Sequence, residues 1–180
     1  ANGDTAEISR DHTLHISPTG LVTITGGKWT TYRKMAEDTI DQAATLAQLQ
    51  ERPSVTRDLP IHGWHRNPEH FGALAVYGSD APALRDLMRR RPELDAPLHA
   101  RLPYRAAEVV WATQREMART VDDVLARRTR ALLLDARASL EAAPRVARLM
   151  ADALGRDEEW AQRQVDAFRA IAEGYVVRDA

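Results

Sequence analysis

Residues Leu21 to Arg33 read LVTITGGKWTTYR, and this stretch restricts the fold more than any other. A β-branched run, a glycine pair, a lysine and a threonine pair are followed by an amphipathic segment, which predicts a strand, a tight turn and a helix start. Gly26 and Gly27 can adopt positive φ and let a group approach the backbone where a side chain would block it. The following helix turns its unpaired amides and the positive end of its dipole toward that turn. Lys28 adds a full charge, so the local chemistry outlines an anion or cofactor pocket.

Upstream, Thr13–Ile16 and the run beginning at Leu21 flank Ser17-Pro18-Thr19-Gly20, and the pair reads as a β-hairpin. A lone hairpin is marginal in water, so it requires helices or another chain to pack on. The helix capped by Thr30 or Thr31 should run to about Leu49, with Met35, Ile40, Ala43, Ala44 and Ala47 on one face. Two prolines and scattered charge make residues 51–60 a linker.

Beyond the linker the pattern is helical. A short helix is expected over Pro68–Tyr77, closed by Gly78, and another from Ser79 or Asp80 to before Pro92. Tyr104–Met117, Val121–Arg128, a long segment from the Asp135 cap to Leu154, and a last helix from Asp157 complete the set. Pro144 either kinks the long segment or starts a new helix. The fold class is therefore mainly α, with a strand–turn–helix piece in front.

Charge is balanced at 25 basic and 26 acidic residues, so no net field favours nucleic acid or an anionic membrane. Cysteine is absent, which removes disulfides, thiolate metal sites and cysteine nucleophiles. His62, His65 and His70 match no zinc spacing, and no metal site is expected. Arg127, Arg128 and Arg130 read as an ion-pair network with Asp122, Asp123 and Glu116. Arg128 is also the candidate partner for Glu108, which sits on a largely apolar helix. Trp64, Trp111 and Trp160 read as core residues, whereas Trp29 lies in the turn itself.

Two blocks carry a resemblance. Ser9-Arg10-Asp11-His12, Gly20 to Ile24 and GGKWTTYRKMAED resemble the end of the flavin domain of FAD-dependent glycerol-3-phosphate dehydrogenases of the respiratory type. PYRAAEVVWATQREMARTVDDVLARRTR, Pro103 to Arg130, resembles the helical C-terminal domain of the same family. The resemblance implies oxidation of sn-glycerol 3-phosphate to dihydroxyacetone phosphate, with electrons passed through FAD to membrane quinone. It places Arg10 and Lys28 at the substrate, Lys28 with a catalytic role, and Gly26, Gly27, Lys28, Trp29 and Thr30 beside FAD. Some members carry leucine where this chain has Trp29.

No GxGxxG follows a strand in these residues, so the chain reads as the C-terminal part of a longer protein. On this reading residues 1–50 are the tail of the FAD/substrate domain, and residues 61–180 are a helical C-terminal domain. The expected partners are the upstream FAD-binding domain, glycerol 3-phosphate, quinone and a second copy of the chain in a homo-oligomer, without nucleic acid. The resemblance implies a cytoplasmic enzyme, peripheral at the inner face of the cell membrane, and the piece alone is expected to be inactive and not to retain FAD. A non-catalytic helical docking or dimerisation module, and an oxidase that delivers electrons to oxygen, stand as alternatives.

Overall fold

The computed structural model describes residues 11–177. They divide into two compact units, one ending at Ile61 and one starting at His62.

In the first unit, β1 (His12–Ile16) and β2 (Val22–Gly26) form an antiparallel pair in which His12 faces Gly26 and Leu14 faces Ile24. The reversal is closed by Gly20 N–H donating to the Ser17 carbonyl at 2.9 Å and Ser17 N–H donating to the Leu21 carbonyl at 3.0 Å. A single 3₁₀ turn, Trp29–Thr31, leads into α1 (Tyr32–Leu46). His12 Nε2 lies 2.9 Å from Asp38 Oδ2 and ties β1 to α1. No residue from 11 to 61 is buried. The hairpin and α1 thus have apolar faces but no closed core, and Ile40 and Leu46 on α1, with Leu49 just beyond it, stay exposed.

The second unit has a core of its own. It opens with a 3₁₀ segment, Pro68–Asp80, followed by α2 (Ala81–Arg90) and a 3₁₀ turn at Pro92–Asp95. Then come α3 (Ala106–Arg115), a π-helical turn at Asp123–Arg128, α4 (Ala131–Leu134), α5 (Ala136–Leu154) and α6 (Glu158–Ala172). Every residue from Ala106 to Thr113 is buried, Glu108 and Thr113 included, so α3 is the central helix of this unit. Val109 and Ala112 join a cluster with Val121, Leu125, Val146, Met150 and Phe168. Val110 and Trp111 face a second cluster built on Leu74, Leu84 and Leu94.

Local chemistry sets the ends of the long helices. Asp135 and Asp157 each accept an amide proton three residues ahead, from Ala138 and Trp160, both at 2.8 Å, which satisfies amides left open by the first turn. Gly155 closes α5 in the left-handed conformation, φ +63°. The helix runs through Pro144 without starting anew.

Three expectations about the elements and the core are corrected by the structure. The helix expected over Pro68–Tyr77 is a 3₁₀ segment interrupted at Gly72 and Gly78, whose backbones lie outside the helical region. The Val121–Arg128 stretch widens to a π-helical turn, because both the amide and the hydroxyl of Thr129 donate to the Val124 carbonyl five residues back. Trp64 is 55% exposed rather than part of the core.

Gly78 has a specific reason to be glycine. Its φ is +50°, and a Cβ placed there would run into the Gly63 carbonyl oxygen. Replacing Gly78 with alanine is therefore expected to cost about 1–3 kcal/mol from backbone strain. The measurement is the urea midpoint of the variant against the parent.

Candidate functional site

The turn after β2 is built from two glycines in the left-handed region, Gly26 at φ +78° and Gly27 at φ +77°. Each is also demanded by packing. A Cβ on Gly26 would sit 2.7 Å from the Asp11 carbonyl oxygen, and one on Gly27 would overlap the Met35 sulfur. The thioether of Met35, reaching back from the first turn of α1, is what approaches the Gly27 backbone from inside the unit.

Beyond the glycines the turn is pinned by Thr31. Its hydroxyl accepts from Lys28 N–H at 3.1 Å and lies 3.0 Å from the Lys28 carbonyl, to which it donates. Lys28, Trp29 and Thr30 therefore project outward, and all three are exposed. Among the described residues the Lys28 ammonium has no ion pair or hydrogen bond. Trp29 is 85% exposed and stacks on Tyr32, with ring centroids 5.3 Å apart and an interplanar angle of 23°.

The cations that follow on α1 are engaged differently. Arg33 pairs with Glu37, and Lys34 reaches Glu37 at 3.3 Å and Asp38 at 2.8 Å. Arg33 first, and Lys34 after it, hold the Glu37 carboxyl below its ordinary value, and Lys34 does the same for Asp38. Among the described residues Lys28 is thus an uncommitted cation on the exposed part of the turn, beside a flat aromatic stack. An anion and a planar ring system both fit such a surface.

The structure brings Gly26, Gly27, Lys28, Trp29 and Thr30 together on one turn. Arg10 lies outside the described residues. His62 lies 2.7 Å from Asp80, and His65 meets Phe71 edge-on.

A second polar centre lies inside the helical unit. Glu108 is 5% exposed. Its Oε2 accepts from the Tyr77 hydroxyl at 2.8 Å, and its Oε1 accepts from Arg105 N–H at 2.7 Å. The expected Glu108–Arg128 pair does not form. Arg128 instead donates to the Glu116 carbonyl through Nη2 at 2.6 Å and Nε at 3.1 Å. Arg127 takes Asp122 and Asp123, as the network reading anticipated. Burial pushes the Glu108 carboxyl above its ordinary range, opposed by the Arg105 amide and the Tyr77 hydroxyl. Burial likewise raises Tyr77, with the Glu108 charge adding to it.

The family model described as the C-terminal domain of alpha-glycerophosphate oxidase matches residues 17–161, which include the whole turn. The mitochondrial glycerol-3-phosphate dehydrogenase of Homo sapiens is 37% identical over 188 residues, covering 93% of this chain and 26% of that protein. The Bos taurus counterpart is 36% identical over the same shares. A probable mitochondrial glycerol-3-phosphate dehydrogenase of Caenorhabditis elegans is 32% identical over 191 residues, covering 94% of this chain and 26% of that protein. The chain spans about a quarter of the length of these relatives.

Proposed function

The chain belongs to the family of the C-terminal domain of alpha-glycerophosphate oxidase, and from that membership we propose that it is the C-terminal quarter of a flavoenzyme oxidising sn-glycerol 3-phosphate to dihydroxyacetone phosphate. Residues 1–50 are the tail of its FAD/substrate domain, residues 51–60 a linker, and residues 61–180 the helical C-terminal domain. The observation that carries this reading is the family match over residues 17–161, which takes in the double-glycine turn where Lys28 is exposed and, among the described residues, unpaired.

Bound FAD supplies the acceptor for the hydride that leaves C2. The chain's own residues bind and orient. Lys28 presents its ammonium to the dianionic substrate, or to the C2 oxygen, which carries negative charge once its proton has passed to a base of the upstream domain and before the hydride leaves C2. Arg10 holds the phosphate by its guanidinium, whose planar fork suits bidentate contact. The Gly26–Thr30 segment would hold FAD, with the stacked rings of Trp29 and Tyr32 offering a flat surface to it.

The upstream flavin domain is the partner for the first unit, which buries none of its described residues and leaves Ile40, Leu46 and Leu49 in water. Quinone is the electron acceptor in this reading, with the enzyme peripheral at the inner face of the membrane. Among the described residues no helix is long and apolar enough to cross a membrane. The oxidase named in the family description points to oxygen as the alternative acceptor.

The test uses the complete polypeptide of which this chain is part. Purified with FAD, it is expected to reduce a soluble quinone analogue in the presence of glycerol 3-phosphate. Hydrogen peroxide formed in place of reduced quinone identifies the oxidase, and no turnover with either acceptor rejects the enzyme reading. The 180-residue chain alone is expected to purify colourless, because one turn and one helix end cannot bury a dinucleotide. A flavin absorption spectrum in that preparation contradicts this expectation.

A further inference from the structure

Lys28 is held at its root and, among the described residues, nowhere else. Its ammonium has no ion pair or hydrogen bond there, so the direction of the side chain is set by its own backbone, which is extended at φ −139° and ψ 161°. On one side of it Gly27 N–H donates to the Asp11 carbonyl at 3.3 Å, and on the other Tyr32 N–H donates to the Trp29 carbonyl. Those two are main-chain bonds. At Lys28 itself a side chain makes the connection.

One hydroxyl serves both polar groups of the Lys28 backbone. Thr31 Oγ1 accepts from Lys28 N–H at 3.1 Å and donates to the Lys28 carbonyl at 3.0 Å, and Thr31 N–H donates to the same carbonyl at 3.0 Å. A hydroxyl has one proton and two lone pairs, so it can make both bonds, whereas a methyl group can make neither. Without the hydroxyl the carbonyl keeps one donor, and the amide keeps no acceptor among the described residues. These bonds grip the chain on either side of the Lys28 α-carbon and fix the direction in which its four-carbon arm leaves the turn. A misplacement on the order of 1 Å at a reacting group can cost about a hundred-fold in rate.

We propose that Thr31 is a positioning residue for Lys28, its hydroxyl clamping the Lys28 backbone and so aiming the ammonium at the substrate anion. The proposal rests on the role given above to Lys28 in a glycerol-3-phosphate-oxidising flavoenzyme. A threonine that only started α1 would support the whole turn and would matter whether or not residue 28 carried an ammonium. A clamp matters only through Lys28.

The test is a double-mutant cycle in the complete polypeptide, loaded with FAD and assayed with glycerol 3-phosphate. Thr31→Val keeps the shape and loses the hydroxyl, and it is expected to lower kcat/KM about five- to fifty-fold, divided between kcat and KM as in Lys28→Ala. Thr31→Ser keeps the hydroxyl and should stay within about two-fold of the parent. Added to Lys28→Ala, Thr31→Val should cost less than about two-fold more. Hydrogen exchange at the Lys28 amide, protected in the parent, should speed up in Thr31→Val and not in Thr31→Ser. Parental kcat/KM in Thr31→Val, an equal loss with and without Lys28, or a Thr31→Ser enzyme as impaired as Thr31→Val overturns the proposal. A large loss in Lys28→Ala beside a parental Thr31→Val removes the clamp alone, whereas parental kcat/KM in Lys28→Ala removes the role of Lys28 and the clamp with it. Should Thr31→Val fail to hold FAD, the Lys28 amide decides: protection shared by the parent and Thr31→Ser supports the clamp, and exchange at the intrinsic rate in the parent overturns it.

Discussion

In the glycerol-3-phosphate-oxidising flavoenzyme proposed above, replacing Lys28 with alanine is expected to cost about 2–4 kcal/mol of transition-state stabilisation, read as a fall in kcat/KM, the scale of losing a charged contact to an ionic transition state. The turn explains why no neighbour takes over. Lys34 and Arg33, the next cations, are bound to Glu37 and Asp38 on α1, while Lys28 has no competing partner among the described residues. Its ammonium is available to whichever anion arrives. A contact to the phosphate made equally in ground and transition state would appear as a higher KM with kcat kept. A contact to charge developing at the C2 oxygen would appear in kcat. A mixed effect is expected, with Arg10→Ala acting mainly through KM. Steady-state kinetics on protein shown to hold a normal complement of FAD makes the measurement, and an unchanged kcat/KM in Lys28→Ala removes the assignment.

Phe168→Ala should destabilise the helical unit by about 3–5 kcal/mol, the usual cost of emptying an aromatic site in a closed core. Phe168 is 1% exposed and belongs to the cluster formed by α3, α5 and α6. The α5 face in that cluster consists largely of alanine, with Ala138, Ala142, Ala143 and Ala147 all buried. Methyl groups on a rigid helix cannot swing inward to fill the void, so the cavity persists and its cost is not relieved. A domain is stable by only about 5–15 kcal/mol, so such a loss takes much of the margin. Urea unfolding followed by far-UV circular dichroism reads the effect. Ile171→Ala on the same helix, at an exposed position, should shift stability by less than about 1 kcal/mol. Equal losses in the two variants would mean that the core is not organised around Phe168.

Much of the fold was legible from neighbouring residues alone. The hairpin, the helix after the glycine turn, the Asp135 and Asp157 caps and the Gly155 stop all depend on interactions spanning at most a few positions, and the structure has each of them. The turn of the candidate site was equally visible, because positive φ at Gly26 and Gly27 is a property of the local chain. Its second cause, Met35 lying against Gly27, was not visible, since it depends on how α1 folds back over the turn.

The buried polar centre shows where local reading stops. That Glu108 needs a partner follows from its apolar neighbours in sequence, but burial alone does not specify which donor answers. Tyr77 lies 31 residues away in the chain and reaches Glu108 only because two glycines break the Pro68–Asp80 segment and lay it on α3. The same holds for the Thr129 contacts that widen the Asp123–Arg128 turn and for the solvent around Trp64. The sequence by itself determined the hairpin, the glycine turn, the caps and stop of the long helices, and the family, because periodicity, caps and glycine conformations act within a few residues. Only the tertiary structure decided which buried group meets which donor, because that choice depends on the elements brought together when the core closes.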